Sequence, residues 1–305
     1  MPSSALALHP DVAQALAEGR PVVALESTIV SHGLPRPENL RVAQAVEQVV
    51  RDRGAVPATI AVLDGRLRVG LDDAQLEEIA ARDDVVKVSL RDLGSVVALR
   101  LPGATTVAAT SHAAALAGIR VFATGGLGGV HREARDSWDE SADLATLAEE
   151  PIVVVCAGVK SILDVPATLE RLESLNVTVL GFGTRRFPGF YLTDSGSSVD
   201  WQVDTPAQVA DIARAREDMS ISGALVVANP LPEDQQMDPD LHTRVLEEGL
   251  DGARRRGVRG KDVTPYLLDY FHRSTGGLSL EVNTTIILRN AALAADIAVA
   301  LHARR

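Results

Sequence analysis

The chain has 305 residues, of which 46% are hydrophobic and 23% are charged, and its formal net charge is −11. This composition is that of a globular protein with a sizeable core. The acidic balance argues against broad binding to nucleic acids, because phosphate backbones are held mainly by lysine and arginine, but it leaves room for one small phosphate ligand.

Membrane attachment and secretion are not expected. The N-terminal segment lacks the basic start and long apolar run of a secretory signal. No uninterrupted apolar stretch approaches the roughly 20 residues that span a bilayer. Cys156 is the single cysteine, so no disulfide can form within the chain, which fits a reducing compartment. We therefore expect a cytoplasmic protein.

Short β-branched runs alternate with amphipathic segments along the chain. The predicted strands are 22–28, 58–63, 85–90, 120–126, 152–158, 177–183 and 224–229. The predicted helices, in which apolar residues recur three or four apart, are 37–52, 73–82, 105–117, 142–149, 165–174, 206–217, 239–256 and 279–303. This alternation predicts a parallel or mixed sheet with helices on both faces, and ligands gather at the carboxyl ends of such strands.

Three further segments interrupt the alternation. Residues 66–71 follow Asp64-Gly65 and are predicted to return as a hairpin. Residues 187–196 and 199–205 are predicted to form an antiparallel excursion. No linker or repeat marks a boundary, so we predict one domain over residues 1–305.

Glu26 is an acid within the otherwise apolar segment ALEST at 24–28. One interpretation is an acid at a strand tip that is solvated or paired with a base. The other is a general acid–base whose pKa is raised by a dry pocket.

Lys160 follows the buried-looking run IVVVCAG at 152–158. A lysine near apolar surroundings loses proton affinity, and its neutral amine can attack a carbonyl carbon and form a Schiff base. The alternative is a surface lysine that opens the next helix.

Acidic side chains and hydroxyls cluster in SWDESADL at 137–144, which contains Asp139, Glu140 and Asp143. All-oxygen ligands suit hard cations such as Mg²⁺ or Mn²⁺. The alternative is helix capping, with Ser141 as the cap and Asp143 in the first turn.

Two segments rich in small residues could approach a ligand closely. GATTVAATSHAAALAG at 103–118 opens a predicted helix, whose free N–H groups could bind phosphate, or is a capped, alanine-rich core helix. TGGLGGVHR at 124–132 lets the backbone approach a ligand, or is a tight turn. Its spacing is not that of a dinucleotide fingerprint.

Three isolated polar residues complete the candidates. Lys87 lies in an apolar strand and either faces water or contacts phosphate or substrate. Asn229 and Asn283 could hydrogen-bond a planar, amide-rich base, or cap helices.

Together these segments resemble the pseudouridine-5′-phosphate glycosidase family, also called the indigoidine synthase A-like family. The resemblance extends from ALESTIVSHGLPRPENL (24–40) to GGLSLEVN (276–283) and includes VFATGGLGGVHR, SWDESADL, CAGVKSILDVPATLE and LGFGTRRFPGFYL. It implies a three-layer α/β/α fold with a mixed, mostly parallel central sheet. It also implies a lyase of the hydro-lyase class that reversibly converts pseudouridine 5′-phosphate and water to uracil and ribose 5-phosphate.

By motif, the resemblance makes Glu26 the general acid–base and Lys160 the nucleophile that bonds C1 of the opened sugar. Asp139 becomes the ligand of one Mn²⁺ per subunit. The positions that contact substrate in the family correspond to Lys87, Val107, Ser141, Ala142, Asp143 and Asn283. The resemblance further implies a homotrimer.

Other functions stay open on the sequence alone. A Schiff-base aldolase acting on a sugar phosphate would share Lys160 and the phosphate site but would not require a uracil pocket. A non-catalytic sugar-phosphate sensor would leave Glu26 and Lys160 unexplained. The family's second name also leaves a role in a pigment pathway open.

Overall fold

The computed structural model describes residues 5–258 and 263–303. The strands within these ranges are β1 (Leu6–Leu8), β2 (Val22–Leu25), β3 (Val56–Leu63), β4 (Arg66–Val69), β5 (Val86–Val88), β6 (Gly103–Thr105), β7 (Val121–Ala123), β8 (Val153–Cys156), β9 (Thr178–Phe182), β10 (Arg186–Phe187), β11 (Ser197–Ser198), β12 (Trp201–Val203) and β13 (Leu225–Ala228).

All of these strands except β10 and β11 form one 11-stranded sheet. Its main path runs β1-β4-β3-β2-β7-β8-β13-β9-β12, while β6 pairs with both β3 and β5. Strand β3 is antiparallel to β4 and β6, and the other neighbours are parallel. The predicted mixed, mostly parallel sheet is confirmed.

Helices cover both faces of the sheet. They are α1 (Pro10–Ala17), α2 (Glu38–Asp52), α3 (Asp73–Ala81), α4 (Leu93–Ala98), α5 (Val107–Ala117), α6 (Ala134–Ser137), α7 (Ala142–Glu149), α8 (Val165–Ser174), α9 (Pro206–Asp218), α10 (Pro239–Arg256), α11 (Val263–Ser274) and α12 (Leu278–His302). Alternate residues of each strand point to opposite faces, so Val23 and Leu25 pack in the core under α2, α9 and α12. Val22 and Ala24 pack in the core under α1, α5 and α7. The predicted three-layer α/β/α architecture is therefore confirmed.

The predicted hairpin and half of the predicted antiparallel excursion are observed. The turn between β3 and β4 has positive φ at both Asp64 (53°) and Gly65 (73°), as a tight hairpin turn requires. Strands β10 and β11 form a short antiparallel pair. The prediction for 199–205 is wrong, because β12 pairs in parallel with β9. The long connection between them has the length that a parallel crossover needs.

Some elements lie outside the predicted set, namely β1, β6, α1, α4, α6 and α11. Most of them are short, and short segments carry too few apolar repeats to show a period. The single domain over 1–305 stays a prediction.

Helix α12 is long and apolar enough to span a membrane by length and composition. It contacts α2 and α9 as well as strands β2, β7 and β8. More than half of its most apolar window is buried inside the protein. These contacts make α12 a core helix of the α/β/α fold.

His242 of α10 is buried in an aromatic cluster that joins α10 and α11 to the body of the fold. Its ring is tilted against Tyr191 at 6.4 Å and Phe271 at 5.5 Å between centroids. Its Nε2 has no hydrogen-bond partner within the described part of the chain. Burial, together with the nearby Arg132, lowers the pKa of His242 from 6.5 to about 4.

This histidine should make stability depend on pH. Because the unfolded chain binds a proton near pH 6.5 and the folded chain only near pH 4, stability is full above pH 6.5 and is lost as pH falls toward 4. We expect the free energy of unfolding to fall by about 2 kcal/mol more between pH 7.5 and pH 5 in the wild type than in His242→Gln. Urea denaturation at the two pH values measures this difference, and equal losses in both proteins would contradict it.

Candidate active site

A cavity of about 460 Å³ opens at the carboxyl ends of β2, β7 and β8. Parallel strands bring these ends to one edge of the sheet, which explains why residues distant in sequence meet there. All nine residues predicted for the site line this cavity, namely Glu26, Lys87, Val107, Asp139, Ser141, Ala142, Asp143, Lys160 and Asn283. The structure thus brings the predicted residues together, while their chemical roles stay predictions.

Glu26 is the first residue after β2 and is half-buried at the cavity wall. The rest of its motif anchors it. The hydroxyl of Ser27 donates to the carbonyl of Ile60 at 2.6 Å, and that of Thr28 donates to the carbonyl of Thr105 at 2.7 Å. The hydroxyl of Thr124 donates a short hydrogen bond to Glu26 Oε1. The strand end is therefore fixed, and Glu26 lines the cavity together with Thr28.

Burial raises the pKa of Glu26 above its ordinary value, because a dry wall disfavours the charged carboxylate. The positive charge of Lys160 and the hydrogen bond from Thr124 act in the opposite direction. The raised pKa is what a proton donor needs near neutral pH. Of the two interpretations of Glu26, the geometry favours the acid–base.

Lys160 lies at the end of the segment that follows β8, and this segment runs beside the glycine-rich loop after β7. The N–H of Lys160 donates to the carbonyl of Leu127 at 3.1 Å, and that of Leu127 donates to the carbonyl of Gly158 at 2.9 Å. Arg132 donates to the carbonyls of Ser161 and Ile162 just beyond the lysine. Lys160 is thus half-buried in a braced loop and is close enough to influence the charge on Glu26.

The glycine-rich loop at 125–129 lies between the Lys160 segment and the acidic segment before α7. The N–H of Ser141 donates to the carbonyl of Gly129 at 3.0 Å. A Cβ at Gly128 would collide with Ser141 and Asp143, and one at Gly129 would collide with Thr168. The glycines therefore allow neighbouring segments to pack closely, and they also form part of the cavity wall.

Asp143 is buried, and its carboxylate binds two backbone groups. Oδ1 accepts from the N–H of Ala108 at 2.9 Å, and Oδ2 accepts from the N–H of Gly128 at 2.8 Å. Ser141 caps α7 through the N–H of Asp143, so the helix-cap interpretation of this motif is correct. Asp143 also lines the cavity. A contact between Asp143 and substrate stays a prediction.

The N-terminus of α5 is already occupied by protein groups. Thr106 is its cap and accepts from the N–H of Ala109, and Asp143 takes the N–H of Ala108. All but a few side chains of this helix are buried alanines and similar small residues. The segment 103–118 therefore contains a capped core helix, and a phosphate contact at its start stays a prediction.

Basic side chains line another part of the cavity wall. Lys87 in β5 interacts electrostatically with Glu26, His32 and His131. The pKa of each histidine is lowered, chiefly by burial and partly by this lysine. The cavity therefore brings Lys87 together with two histidines whose neutral form is favoured.

Asp139 lies at the cavity with 31% of its side chain exposed, and its Oδ2 is 3.8 Å from His131 Nδ1. Over residues 5–258 and 263–303 there is no group of three or more histidine, cysteine, aspartate or glutamate side chains that could enclose a metal. A single carboxylate can still hold a hard cation that keeps most of its water ligands. Asp139 fits such a largely hydrated ion and does not fit an all-protein cage.

At one corner of the cavity Gly125 lies close to both Asn283 and Phe190. A Cβ at Gly125 would lie 3.5 Å from Asn283 Oδ1 and 3.6 Å from the Phe190 ring, so the bare glycine separates an amide from an aromatic ring. Phe190 has a left-handed φ of 64°, which is unusual for an aromatic residue and indicates local strain. The corner offers an apolar face and an amide at one edge.

Several site residues were missed by sequence reasoning. His32, His131 and Phe190 line the cavity, and Thr124 holds Glu26. His131 is the next-to-last residue of the motif TGGLGGVHR and could have been found there, whereas Phe190 lies in an irregular loop without helical or strand periodicity. Asn229 was a candidate but is outside the residues that line the cavity, because its amide donates to Asn290 at 3.0 Å.

Known proteins resemble this chain along almost its whole length. A pseudouridine-5′-phosphate glycosidase from Salinispora tropica is 67% identical over 97% of this chain and 91% of the relative. One from Clostridium botulinum is 48% identical over 97% of both.

Two solved structures share the fold. A prealnumycin C-glycosynthase in complex with ribulose 5-phosphate has a TM-score of 0.91 at 36% identity, covering 99% of this chain and 98% of its own. An indigoidine synthase A-like protein from Thermotoga maritima has a TM-score of 0.88 at 36% identity, covering 97% and 96%.

The family model described as indigoidine synthase A like protein matches residues 11–300. With this match and relatives of such high identity, the chain belongs to the indigoidine synthase A-like protein family.

Proposed function

We propose that this enzyme reversibly cleaves the carbon–carbon glycosidic bond of pseudouridine 5′-phosphate to give uracil and ribose 5-phosphate. The observation that carries the proposal is the meeting of Glu26 and Lys160 in one partly enclosed cavity, an acid with raised pKa beside an amine. Relatives of up to 67% identity bear the name of this activity, and a structural neighbour holds a sugar phosphate. The reaction class is that of a hydro-lyase.

Lys160 opens the sugar in this proposal. Its neutral amine attacks C1 of the ribose, and the bond from C1 to the ring oxygen breaks. The amine loses a proton and the ring oxygen gains one, so the sugar becomes an open chain bonded to the lysine nitrogen. The lone pair of the lysine nitrogen can then stabilise the positive charge that the next step creates on C1.

Glu26 releases the base. Carbon C5 of uracil is a poor leaving atom unless it is protonated. As the nitrogen of Lys160 forms a double bond to C1, the electrons of the C1–C5 bond move to C5, which takes the proton of Glu26. Water then adds to C1, and ribose 5-phosphate leaves the lysine as the free aldehyde. The raised pKa of Glu26 keeps the proton available for this step.

We assign the corner of the cavity between Asn283 and Phe190 to the uracil ring. Stacking on the Phe190 face suits a planar base, and the Asn283 amide can both donate and accept hydrogen bonds at its edge. The basic side suits the phosphate, where Lys87 supplies charge and Ser141 and Ala142 lie at the start of α7.

This corner also separates the proposal from its rivals. An aldolase or a sugar-phosphate sensor needs no slot for a planar base, and a sensor needs no acid beside the amine. The resemblance to a C-glycosynthase supports chemistry at a C-glycosidic bond. Uracil released from pseudouridine 5′-phosphate, followed by absorbance or chromatography, tests the proposal directly, and its absence under all metal conditions would overturn it.

A covalent adduct should form on Lys160. Wild-type protein treated with ribose 5-phosphate and borohydride should gain one sugar phosphate per subunit by intact mass, located on Lys160 by peptide mapping. Lys160→Arg should bind ligand and form no adduct, because a guanidinium stays protonated. Lys87→Arg serves as the matched control for loss of a cavity lysine and should keep the adduct. An adduct on another lysine would remove Lys160 from the mechanism.

Replacing Glu26 should slow turnover without preventing binding. Glu26→Gln keeps the shape and the contact with Thr124 but cannot exchange a proton, so we expect kcat to fall by about 10²–10⁴-fold. Glu140→Gln, at a carboxylate that also lines the cavity but is paired with Arg171, serves as the comparison. Near-normal turnover in Glu26→Gln would show that another group supplies the proton.

We further propose that Asp139 holds one hydrated Mn²⁺ per subunit, which would supply charge and ordered water at this side of the cavity. Chelation should abolish activity and Mn²⁺ should restore it. In Asp139→Ala, calorimetry should show loss of Mn²⁺ binding while the fold is retained. Asp136→Ala, an exposed acid on α6, should bind Mn²⁺ as the wild type does. Full activity after chelation would contradict the metal assignment.

We also propose that the enzyme works in the cytoplasm as a homotrimer. The family resemblance supports the trimer, and the composition with its single buried cysteine supports the compartment. Sedimentation of the purified protein measures the first of these.

A further inference from the structure

We infer that Thr124, whose backbone is held by Asn290, is a positioning residue whose hydroxyl fixes the orientation of the Glu26 carboxylate and stabilises its charged form. The inference rests on the proposed function, in which Glu26 exchanges a proton with the base. It adds two residues, Thr124 and Asn290, that are not among the residues lining the cavity.

The register of the sheet places Thr124 beside Glu26. Strands β2 and β7 are parallel neighbours, with Leu25 opposite Ala123. Glu26 and Thr124 are the next residues on each strand, so their side chains leave the sheet at the same edge. Thr124 is fully buried, and its hydroxyl donates to Glu26 Oε1. A buried donor with a single carboxylate partner holds that carboxylate in one orientation.

Asn290 of α12 fixes Thr124 from behind. Its Nδ2 donates to the carbonyl of Thr124 at 2.8 Å and to that of Gly125 at 3.3 Å. Its Oδ1 accepts from Nδ2 of Asn229 at 3.0 Å, and the N–H of Asn229 donates to the carbonyl of Cys156 at 2.8 Å. This chain of buried amides ties the ends of β7, β8 and β13 to one helix, so the backbone of Thr124, which carries the hydroxyl bonded to Glu26, is held in place.

The charges that face Glu26 define what the hydroxyl adds. Lys160 and Lys87 favour the carboxylate form, and Asp143 and burial favour the acid form. Thr124 donates a neutral hydrogen bond that favours the carboxylate. Removing it should therefore raise the pKa of Glu26 and leave the carboxyl free to rotate.

The test is the pH profile of kcat in three variants. Thr124→Val keeps the size of the side chain but has no hydroxyl, and we expect its Glu26-dependent midpoint to move toward alkaline pH by about one to two units. We expect kcat at the optimum to fall roughly tenfold with little change in KM. Thr124→Ser should restore the wild-type midpoint. Thr124→Ala also removes the hydroxyl, and its smaller side chain places fewer packing demands on the fold.

The matched control is Thr59→Val. Thr59 is also buried and also donates to a glutamate, Oε1 of Glu47 at 2.6 Å, and it lies across a small second cavity from Glu26. It should leave the midpoint unchanged. An unmoved midpoint in both Thr124→Val and Thr124→Ala, or a serine variant that fails to restore it, would overturn the inference.

A second measurement does not depend on turnover. Infrared difference titration of each protein against its Glu26→Gln counterpart reports the pKa of the Glu26 carboxyl directly. We expect it to be higher in Thr124→Val than in the wild type, and equal values would overturn the inference. If the wild type releases no uracil but the pKa of Glu26 is still higher in Thr124→Val, only the proposed function would be overturned.

Discussion

The carboxylate of Asp143 binds the N–H of Ala108 and the N–H of Gly128, and through them three parts of the chain meet. One oxygen closes the start of α5, the other holds the glycine-rich loop, and the residue itself lies in the first turn of α7. A buried carboxylate is costly unless backbone donors replace its water, and here they do. The N-terminal ends of two helices add favourable charge, so this one side chain fixes the wall of the cavity.

The glycine-rich loop gives the site its shape because protein segments approach its backbone from two sides. Lys160 is held on one side through Leu127, and the segment with Asp139 is held on the other through the carbonyl of Gly129. Side chains at Gly128 or Gly129 would separate these segments. Lys160 and the segment that contains Asp139 are thus placed by main-chain hydrogen bonds, which fix positions more firmly than long side chains could.

The charge states of the cavity residues follow from their burial in its walls. Burial raises the pKa of Glu26 and lowers those of His32 and His131, so a protonated acid and neutral imidazoles are favoured together. Lys160 and Lys87 both favour the charged form of Glu26, in opposition to burial. An acid that retains its proton next to an amine is the arrangement that a carbon leaving group requires, because the bond breaks only as the carbon is protonated.

Local pattern in the sequence determined most of the longer strands and helices, the hairpin at Asp64-Gly65 and the motifs that contain Glu26, Lys160 and Asp139. These features depend on residues near one another in the chain, and period and turn chemistry record them. Only the tertiary structure decided that β12 runs parallel to β9, that Asp143 serves the backbone, and that Thr124 and Phe190 belong to the site. Each of these depends on the register between strands or on the packing of distant segments. The residues next to a carboxylate in the chain do not record which distant backbone group it will contact in the fold.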